Sequence, residues 1–272
     1  MNMRTASRDF LARFTLVDGL FRRFVWSRVH FPENEMRFLE SLPADSIDIA
    51  IDVGAAMGSY AWILNRKSKQ VISFEPGEQH GDYLERTIFG TRIRLVKAAV
   101  GSRCEVVNMY TPGSDTNALH SATLSRDNPV TESRDTRVRQ VEQVTLDSFV
   151  VGKLDTGRSV DVLKVDVEGY ELEVFKGAQA LIARHHPLIL CEIEERHNAG
   201  YFEVFKLLRA AGYRSHVFQA GSFQPFDGDT IAHFQSAEAL KVRLADSYDP
   251  AKNRYINNFV FQHPQSRIKA IP

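Results

Sequence analysis

The stretch from Asp52 to Gly58, which reads DVGAAMG, combines residue types that can bring the backbone close to a ligand. It follows an apolar run that predicts a strand, and a helical pattern begins directly after it. Gly54 and Gly58 have no side chain, so the turn can be tight, and the following helix presents unpaired N–H groups and the positive end of its dipole. Ligands of open parallel sheets bind beyond the carboxyl ends of the strands. The stretch therefore predicts a ligand site at the end of the first strand.

A second candidate, Glu75, ends the next predicted strand in the sequence VISFEPG, 21 residues after Gly54. An acid with this spacing can accept hydrogen bonds from the hydroxyls of a ribose. The alternative is an exposed acid in the turn before Pro76. The glycine turn and the acid together favour ribose recognition.

These residues predict a nucleoside cofactor other than a dinucleotide. The dinucleotide fingerprint G-x-G-x-x-G has a glycine where this chain has Ala56, and a side chain there hinders the approach of a pyrophosphate. Asp52 would also repel a diphosphate. The same carboxylate suits a ligand with an ammonium group, such as the amino-acid end of S-adenosylmethionine.

Strand patterns and helix patterns alternate from Ile47 onward, which predicts a doubly wound α/β fold. Runs such as DVLKV and PLILCEI are typical of parallel strands buried on both faces. Polar residues with little periodicity fill 111–139, which we interpret as an active-site or mobile loop. The predicted strands are 47–53, 70–75, 92–98, 160–165, 187–193, 213–218 and 257–262, and the predicted helices are 58–66, 78–89, 170–184 and 201–211.

The first 45 residues are predicted to form a helical extension ahead of an α/β domain at 46–272. Five apolar residues share one face of a helix, and six arginines stand against two aspartates within residues 1–31. We favour packing on the chain's own domain or across a homodimer, and the alternative is docking to a partner or to an anionic membrane. The five apolar residues are Phe10, Phe14, Val17, Phe21 and Phe24.

The composition bounds the function classes. Lysine plus arginine and aspartate plus glutamate both number 34, and this balance argues against sequence-independent binding of nucleic acid. Cys104 and Cys191 show neither metal-ligand nor disulfide-framework spacing, which fits a reducing cytoplasm. No apolar stretch has the length of a transmembrane span, and no secretory signal pattern opens the chain.

Over about residues 47–262 the chain resembles the FkbM-type methyltransferases. The segments that carry the resemblance are IDVGAAMGSY, VISFEP, KAAVG, QVTLDSF, LKVDVEGYELEVFKGA, PLILCEIE and NNFVFQ, in this order. LKVDVEGYE, followed by a helix, is the most specific of them. The resemblance implies S-adenosylmethionine as cofactor, O-methyl transfer as the common activity, and a seven-stranded, mostly parallel Rossmann-like sheet whose last strand is antiparallel.

The resemblance also implies site residues. Where this chain has Ala56 the family often has Asn or His, so one polar contact near the cofactor is absent. Asp166 would lie between cofactor and substrate. The cofactor contacts that the resemblance implies are Asp52, Gly54, Ala55, Gly58 and Glu75, with the adenine near Ala98 and Ala99.

Acidic residues follow the fourth and fifth predicted strands and meet at one edge of the sheet. A base near a sugar-like hydroxyl contributes about two to four powers of ten to the rate. We expect Glu168 or Glu192 to be this base, because burial near other acids raises the proton affinity of a carboxylate. Glu171 and Glu173 are interpreted as first-turn acids that complement a helix dipole.

Other residues near these acids have alternative interpretations. Asp166 with Glu192 or Glu194 would suit a Mg²⁺ ion, although a metal-free site is favoured. His197 follows these acids and can reach the cleft, but a surface histidine is favoured. Lys164 lies in an apolar strand and requires an anionic partner, for which Asp166 and Glu192 are candidates.

The sequence thus predicts a cytoplasmic, S-adenosylmethionine-dependent O-methyltransferase that acts on a hydroxyl of a sugar, glycan or related natural product. The first alternative is a nicotinamide-dependent dehydrogenase on a similar sheet. The second is a cofactor-binding accessory subunit without chemistry of its own, which docks through residues 1–31.

Overall fold

The computed structural model describes residues 34–112, 122–126, 128, 131, 135–153, 157–197, 200–219, 221–227, 231–232, 234–239 and 255–271. The amphipathic helix predicted within residues 1–31 lies outside these residues. The helices are α1 (Asn34–Ser41), α2 (Ser59–Lys67), α3 (Glu78–Thr87), α4 (Leu146–Lys153), α5 (Glu171–Lys176), α6 (Gln179–His185) and α7 (Phe202–Ala210). The strands are β1 (Ile47–Val53), β2 (Ser68–Phe74), β3 (Ile93–Val96), β4 (Ala99–Val100), β5 (Glu105–Thr111), β6 (Arg137–Val144), β7 (Val160–Val165), β8 (Leu188–Glu192), β9 (Arg214–Gln219), β10 (Ser222–Pro225) and β11 (Asn258–Gln262).

Eight strands form the main sheet in the order β10-β9-β11-β8-β7-β1-β2-β3. The strands from β8 to β3 are parallel, and β11 runs antiparallel to both β8 and β9. This confirms the predicted doubly wound α/β fold and its antiparallel last strand. The eighth strand, β10, was not predicted, because its sequence SFQP ends in a proline that only an edge strand tolerates.

Helices cover both faces of the main sheet, as the apolar runs of its central strands require. Side chains of α4, α5, α6 and α7 share one core with one face, and α1 and α2 share a second core with the other. The structure therefore has three layers, and strand ends emerge between them.

Helix α1 belongs to the second core although it lies within the predicted extension. Met36 and Leu39 are buried, and Arg66 on α2 forms an ion pair with Glu40 at 2.6 Å. The division of the chain at residue 45 remains a prediction, and the described part of the extension packs on the α/β domain.

Strands β4, β6 and β5 form a second, smaller sheet. Its β5 and β6 pair over their whole length, so both ends of the predicted 111–139 loop belong to strands. Thr123, from within that stretch, exchanges two backbone hydrogen bonds with Tyr110 of β5 at 2.8 and 2.9 Å. The small sheet contacts the main domain closely: a β-carbon on Gly177 would lie 2.0 Å from the carbonyl oxygen of Gly101.

Two predicted elements are divided in the structure. The predicted strand at 92–98 ends at Val96, because the chain then turns to start the small sheet with β4. The predicted helix at 170–184 is α5 and α6, separated at Gly177, where the chain passes against the Gly101 carbonyl. In the described part of the chain, no helix combines the length and the apolarity that crossing a membrane requires.

Candidate active site

A cavity of about 390 Å³ lies at the carboxyl ends of β1, β2, β7 and β8. The small sheet closes it with residues of β4 and β5 and with residues 122–124. The predicted site residues that line it are Gly54, Glu75, Ala98, Ala99, Asp166, Glu168 and Glu192. Asp52, Ala55 and Gly58 do not line it.

The glycine turn places the backbone of β1 directly against the end of β7. Gly54 has φ +79°, and a β-carbon there would lie 1.8 Å from the carbonyl oxygen of Asp166. Gly58 has φ +92°, and its β-carbon would lie 2.6 Å from Cδ1 of Leu84 on α3. Gly54 is therefore required at the cavity wall, whereas Gly58 is required by helix packing behind it.

Glu75 is held in the wall by backbone amides and is not the exposed acid of the alternative interpretation. Its side chain is buried, with Oε2 accepting from the N–H of Ala56 at 2.8 Å and Oε1 from the N–H of Gly77 at 2.6 Å. Burial raises the pKa of Glu75 to about 7, against the opposing effect of these two hydrogen bonds.

Asp52 lies beneath the cavity wall, and its contact with the cofactor stays a prediction. It is inside β1 and not beyond its end, and only 1% of it is exposed. Among the described residues nothing donates a hydrogen bond to its Oδ2. Burial raises the pKa of Asp52 to about 7, although Lys164 opposes the shift.

Lys164 has the anionic partner that its strand position requires. Its side chain is fully buried, and Nζ lies 3.6 Å from Oδ2 of Asp166. Nζ also lies 4.6 Å from the centroid of the Tyr60 ring, and Lys164 is in register with Asp52 on the neighbouring strand. One buried cation thus lies close to two carboxylates below the cavity.

Glu168 has a constrained backbone. Its φ is +50°, a left-handed conformation that costs free energy in a residue other than glycine. Its carbonyl oxygen accepts hydrogen bonds from Oγ1 of Thr123 at 2.7 Å and from Nδ2 of Asn128 at 2.9 Å. These contacts, from the stretch between β5 and β6, fix the backbone of Glu168, which lines the cavity.

The Glu168 carboxylate is paired with a histidine behind the cavity wall. Nδ1 of His197 lies 2.5 Å from Oε2 of Glu168, and the His197 side chain is 11% exposed. The favoured interpretation of His197 as a surface residue is therefore wrong. Burial raises the pKa of Glu168, Asp166 and Glu194 add to the shift, and His197 opposes it.

A polar network holds the acids at the end of β8. Nδ2 of Asn257 donates to Oε1 of Glu192 and, at 3.0 Å, to Oε1 of Glu194. Glu194 also pairs with Arg196. Within the described residues, no three His, Cys, Asp or Glu side chains are grouped as a metal site would require.

Glu171 lies in the first turn of α5, as predicted, but it is also buried. Its Oε1 accepts the N–H of Gly169 at 2.8 Å. Burial raises the pKa of Glu171 to about 7, the hydrogen bond from Gly169 opposes the shift, and the charges of Glu168 and Asp166 add to it. Gly169 has φ +94°, and a β-carbon there would lie 2.6 Å from the His197 carbonyl oxygen. A glycine at this position therefore allows the backbone of His197 to pack against the segment that follows β7.

Several wall residues were not predicted. His80 on α3 and Met109 on β5 line the cavity, as do Thr123 and Leu124. No short-range pattern marks Met109, Thr123 and Leu124, because tertiary packing brings the small sheet and the residues beside it to the strand ends.

Comparison with known proteins assigns the chain to a family. The model of the FkbM methyltransferase domain matches residues 52–215, more than half of the chain. Methyltransferase sdnD of Sordaria araneosa is 28% identical over 152 residues, which cover 47% of this chain and 59% of that protein. The chain thus spans less than two thirds of the length of this relative.

Solved structures are similar at low identity. Methyltransferase FkbM from Methylobacillus flagellatus KT is 16% identical with a TM-score of 0.48, over 81% of this chain and 45% of that one. An O-methyltransferase from Bacillus cereus in complex with SAH is 13% identical with a TM-score of 0.44, over 91% of this chain and 89% of that one. Because the family model matches from the end of β1 to the start of β9, the chain belongs to the FkbM methyltransferase domain family.

Proposed function

We propose that the chain is an S-adenosylmethionine-dependent O-methyltransferase that acts on a hydroxyl of a sugar, glycan or related natural product. One observation carries the proposal: the amides of Ala56 and Gly77 fix both carboxylate oxygens of Glu75 in the cavity wall. A carboxylate oxygen bonded once keeps a lone pair for a further donor, and the two hydroxyls of a ribose are such donors.

The other wall residues fit the rest of this cofactor. A volume of about 390 Å³ is within the range of small-molecule sites. Ala98, Ala99 and Met109 offer an apolar surface for an adenine, and Asp166 offers a carboxylate to a cationic group. Bound S-adenosylmethionine supplies an electrophilic methyl group, and a Mg²⁺ ion is not part of the proposal.

Glu168 is the favoured base for the acceptor hydroxyl. Glu168 lines the cavity, and burial raises the pKa of its carboxyl group, as a general base requires. Thr123 and Asn128 fix its backbone, and His197 fixes its side chain, so the carboxylate is preorganised to take the hydroxyl proton. Glu192 also lines the cavity but is bonded to the Asn257 amide, which makes it the second choice.

Binding of the cofactor is the decisive test. Isothermal titration with S-adenosylmethionine is expected to show micromolar affinity in the wild type and a loss of about 100-fold or more in Glu75→Ala, because a buried charged partner is removed. Glu78→Ala is the matched control: Glu78 is an exposed acid three residues along, paired with Arg139, and its removal is expected to leave the affinity unchanged. Tight NAD binding instead would favour the dehydrogenase.

The acceptor class is tested separately. Mass spectrometry of a saccharide panel incubated with labelled methyl donor is expected to show label on a hydroxyl oxygen. Cofactor binding without turnover, together with co-purification of another enzyme, would favour the accessory subunit. The cytoplasmic location expected from the scattered cysteines also stays a proposal.

A further inference from the structure

The charge of the cavity wall is one-sided. The described side chains that line it include four carboxylates, those of Glu75, Asp166, Glu168 and Glu192, but neither a lysine nor an arginine. The lysine that approaches this wall, Lys164, is fully buried behind it. A ligand in the cavity therefore meets carboxylates directly and meets this cation only through the wall.

Asp166 is the carboxylate that the glycine turn contacts. Its N–H donates to the Val53 carbonyl at 3.0 Å, and its own carbonyl occupies the space that a side chain at Gly54 would need. Lys164 holds its carboxylate from below at 3.6 Å, while 31% of the side chain stays exposed. Asp166 thus presents a fixed negative charge where the first strand opens into the cavity.

Lys164 neutralises this charge only in part. Asp52, also buried, lies in register with Lys164 on the neighbouring strand and interacts with it electrostatically. Lys164 contacts Asp166 only from behind the wall, so the exposed part of the Asp166 carboxylate stays open to the cavity. In a partly buried site such a charge interacts more strongly with a ligand cation than it would in bulk water.

We propose that Asp166 makes the site select the charged methyl donor over its demethylated product. This inference rests on the proposed function. Methyl transfer moves the methyl group from sulfur to the acceptor oxygen, whose proton leaves, and it converts a sulfonium into a neutral thioether. Donor and product otherwise share every group, so the wall binds the donor more tightly and releases the product.

The first test compares three ligands on the unmodified chain by isothermal titration. S-adenosylmethionine and sinefungin, which has an ammonium group in place of the methylsulfonium, are expected to bind about tenfold more tightly than S-adenosylhomocysteine. Equal or tighter binding of S-adenosylhomocysteine overturns the inference. Binding of none of the three contradicts the proposed function instead, so the two failures are distinguishable.

The second test assigns the selectivity to Asp166. Asp166→Asn is expected to weaken S-adenosylmethionine about tenfold and S-adenosylhomocysteine less than twofold. Ala99→Val, an uncharged change in the same wall, is the control. It is expected to weaken the binding of both ligands by the same factor. An equal loss of both ligands in a folded Asp166→Asn, checked by circular dichroism, refutes the role of Asp166. If this variant does not fold, the three-ligand comparison decides.

Discussion

Acidic residues lie at both ends of the strands of the main sheet, and their surroundings differ. We call the side with the amino ends of β1 and β7 the amino edge and the side with their carboxyl ends the carboxyl edge. At the amino edge, Asp48 of β1 accepts from Arg158 at 2.8 Å and from the N–H of Ser159 at 2.9 Å. At the carboxyl edge, Asp52 of the same strand keeps a buried oxygen without a donor among the described residues. Burial alone would raise both pKa values, yet hydrogen bonding to Arg158 lowers that of Asp48, whereas that of Asp52 rises to about 7.

The difference separates acids that are hydrogen-bonded within the fold from acids that line a cavity. Asp161, at the amino edge, is bonded by Arg267 at 2.9 Å and by the N–H of Asp48 at 2.7 Å. The charges of Asp48 and Asp161 are balanced by arginines, and few of their hydrogen-bond acceptor positions remain open for a ligand. At the carboxyl edge, Glu75 accepts hydrogen bonds from two backbone amides, and Glu168 is paired with one histidine. Both residues line the cavity.

Of the substitutions considered, Gly54→Ala should disrupt the carboxyl edge most severely. The added β-carbon meets the Asp166 carbonyl at 1.8 Å and requires φ +79°, so we expect a loss of about 4 kcal/mol or more in the free energy of unfolding. Gly90→Ala, before β3 at the amino edge, is the matched control. Gly90 also has a positive φ of +70° but has nothing within 4 Å, so only about 1 kcal/mol of backbone strain is expected. Urea unfolding of both variants measures the contrast, and equal losses would contradict it.

Glu171→Gln sharpens the comparison through pH. Because the folded pKa of Glu171 is raised from 4.5 to about 7, its stabilising contribution is complete below pH 4.5 and is lost as the pH rises through 7. Glutamine keeps an acceptor for Gly169 but does not titrate. The variant should therefore gain up to about 3 kcal/mol relative to the wild type between pH 5 and 8.

The control for this titration is Glu203→Gln, which changes a half-exposed acid in the first turn of α7. This variant gives the reference for the same acid-to-amide change at a position that is not buried. Urea unfolding at several pH values measures both variants. A constant difference between Glu171→Gln and the wild type would show that burial does not control this carboxylate.

Arg158→Ala tests the amino edge and should have the smallest effect. Asp48 is left partly buried without its arginine, so we expect a loss of about 2 kcal/mol with cofactor affinity within twofold of the wild type. The pKa of Asp48 is lowered from 3.8, so its contribution exists above that value and is lost as the pH falls below it. The loss in the free energy of unfolding caused by the substitution should become smaller below pH 4, as urea unfolding measures. A large drop in cofactor affinity would contradict the distinction between the two edges.

The parallel core could be predicted from sequence almost to the residue. β1 and β7 have the predicted bounds, because uninterrupted apolar runs are needed where helices cover both faces. The same logic placed Glu75, Asp166, Glu168 and Glu192 at one cavity, since parallel strands end at one edge.

The small sheet could not be predicted in this way. β6 reads RVRQVEQV, and most of its residues are exposed, so no apolar alternation marks the strand. The contacts of Thr123, Asn128 and His197 with Glu168 join residues that are distant in sequence, and only the assembled fold brings them together. The burial of Asp52 could not be predicted, because its position inside the strand, and not its residue type, decides its exposure.

The contact between Gly101 and Gly177 limits how this fold can be re-engineered. Two backbones touch there without side chains between them, and this contact fixes the distance between the small sheet and the helical layer. A chimera that takes its β4–β6 region from a relative must keep a glycine at 177. A bulkier residue would push the transplanted sheet outward and enlarge the cavity even with every acid retained.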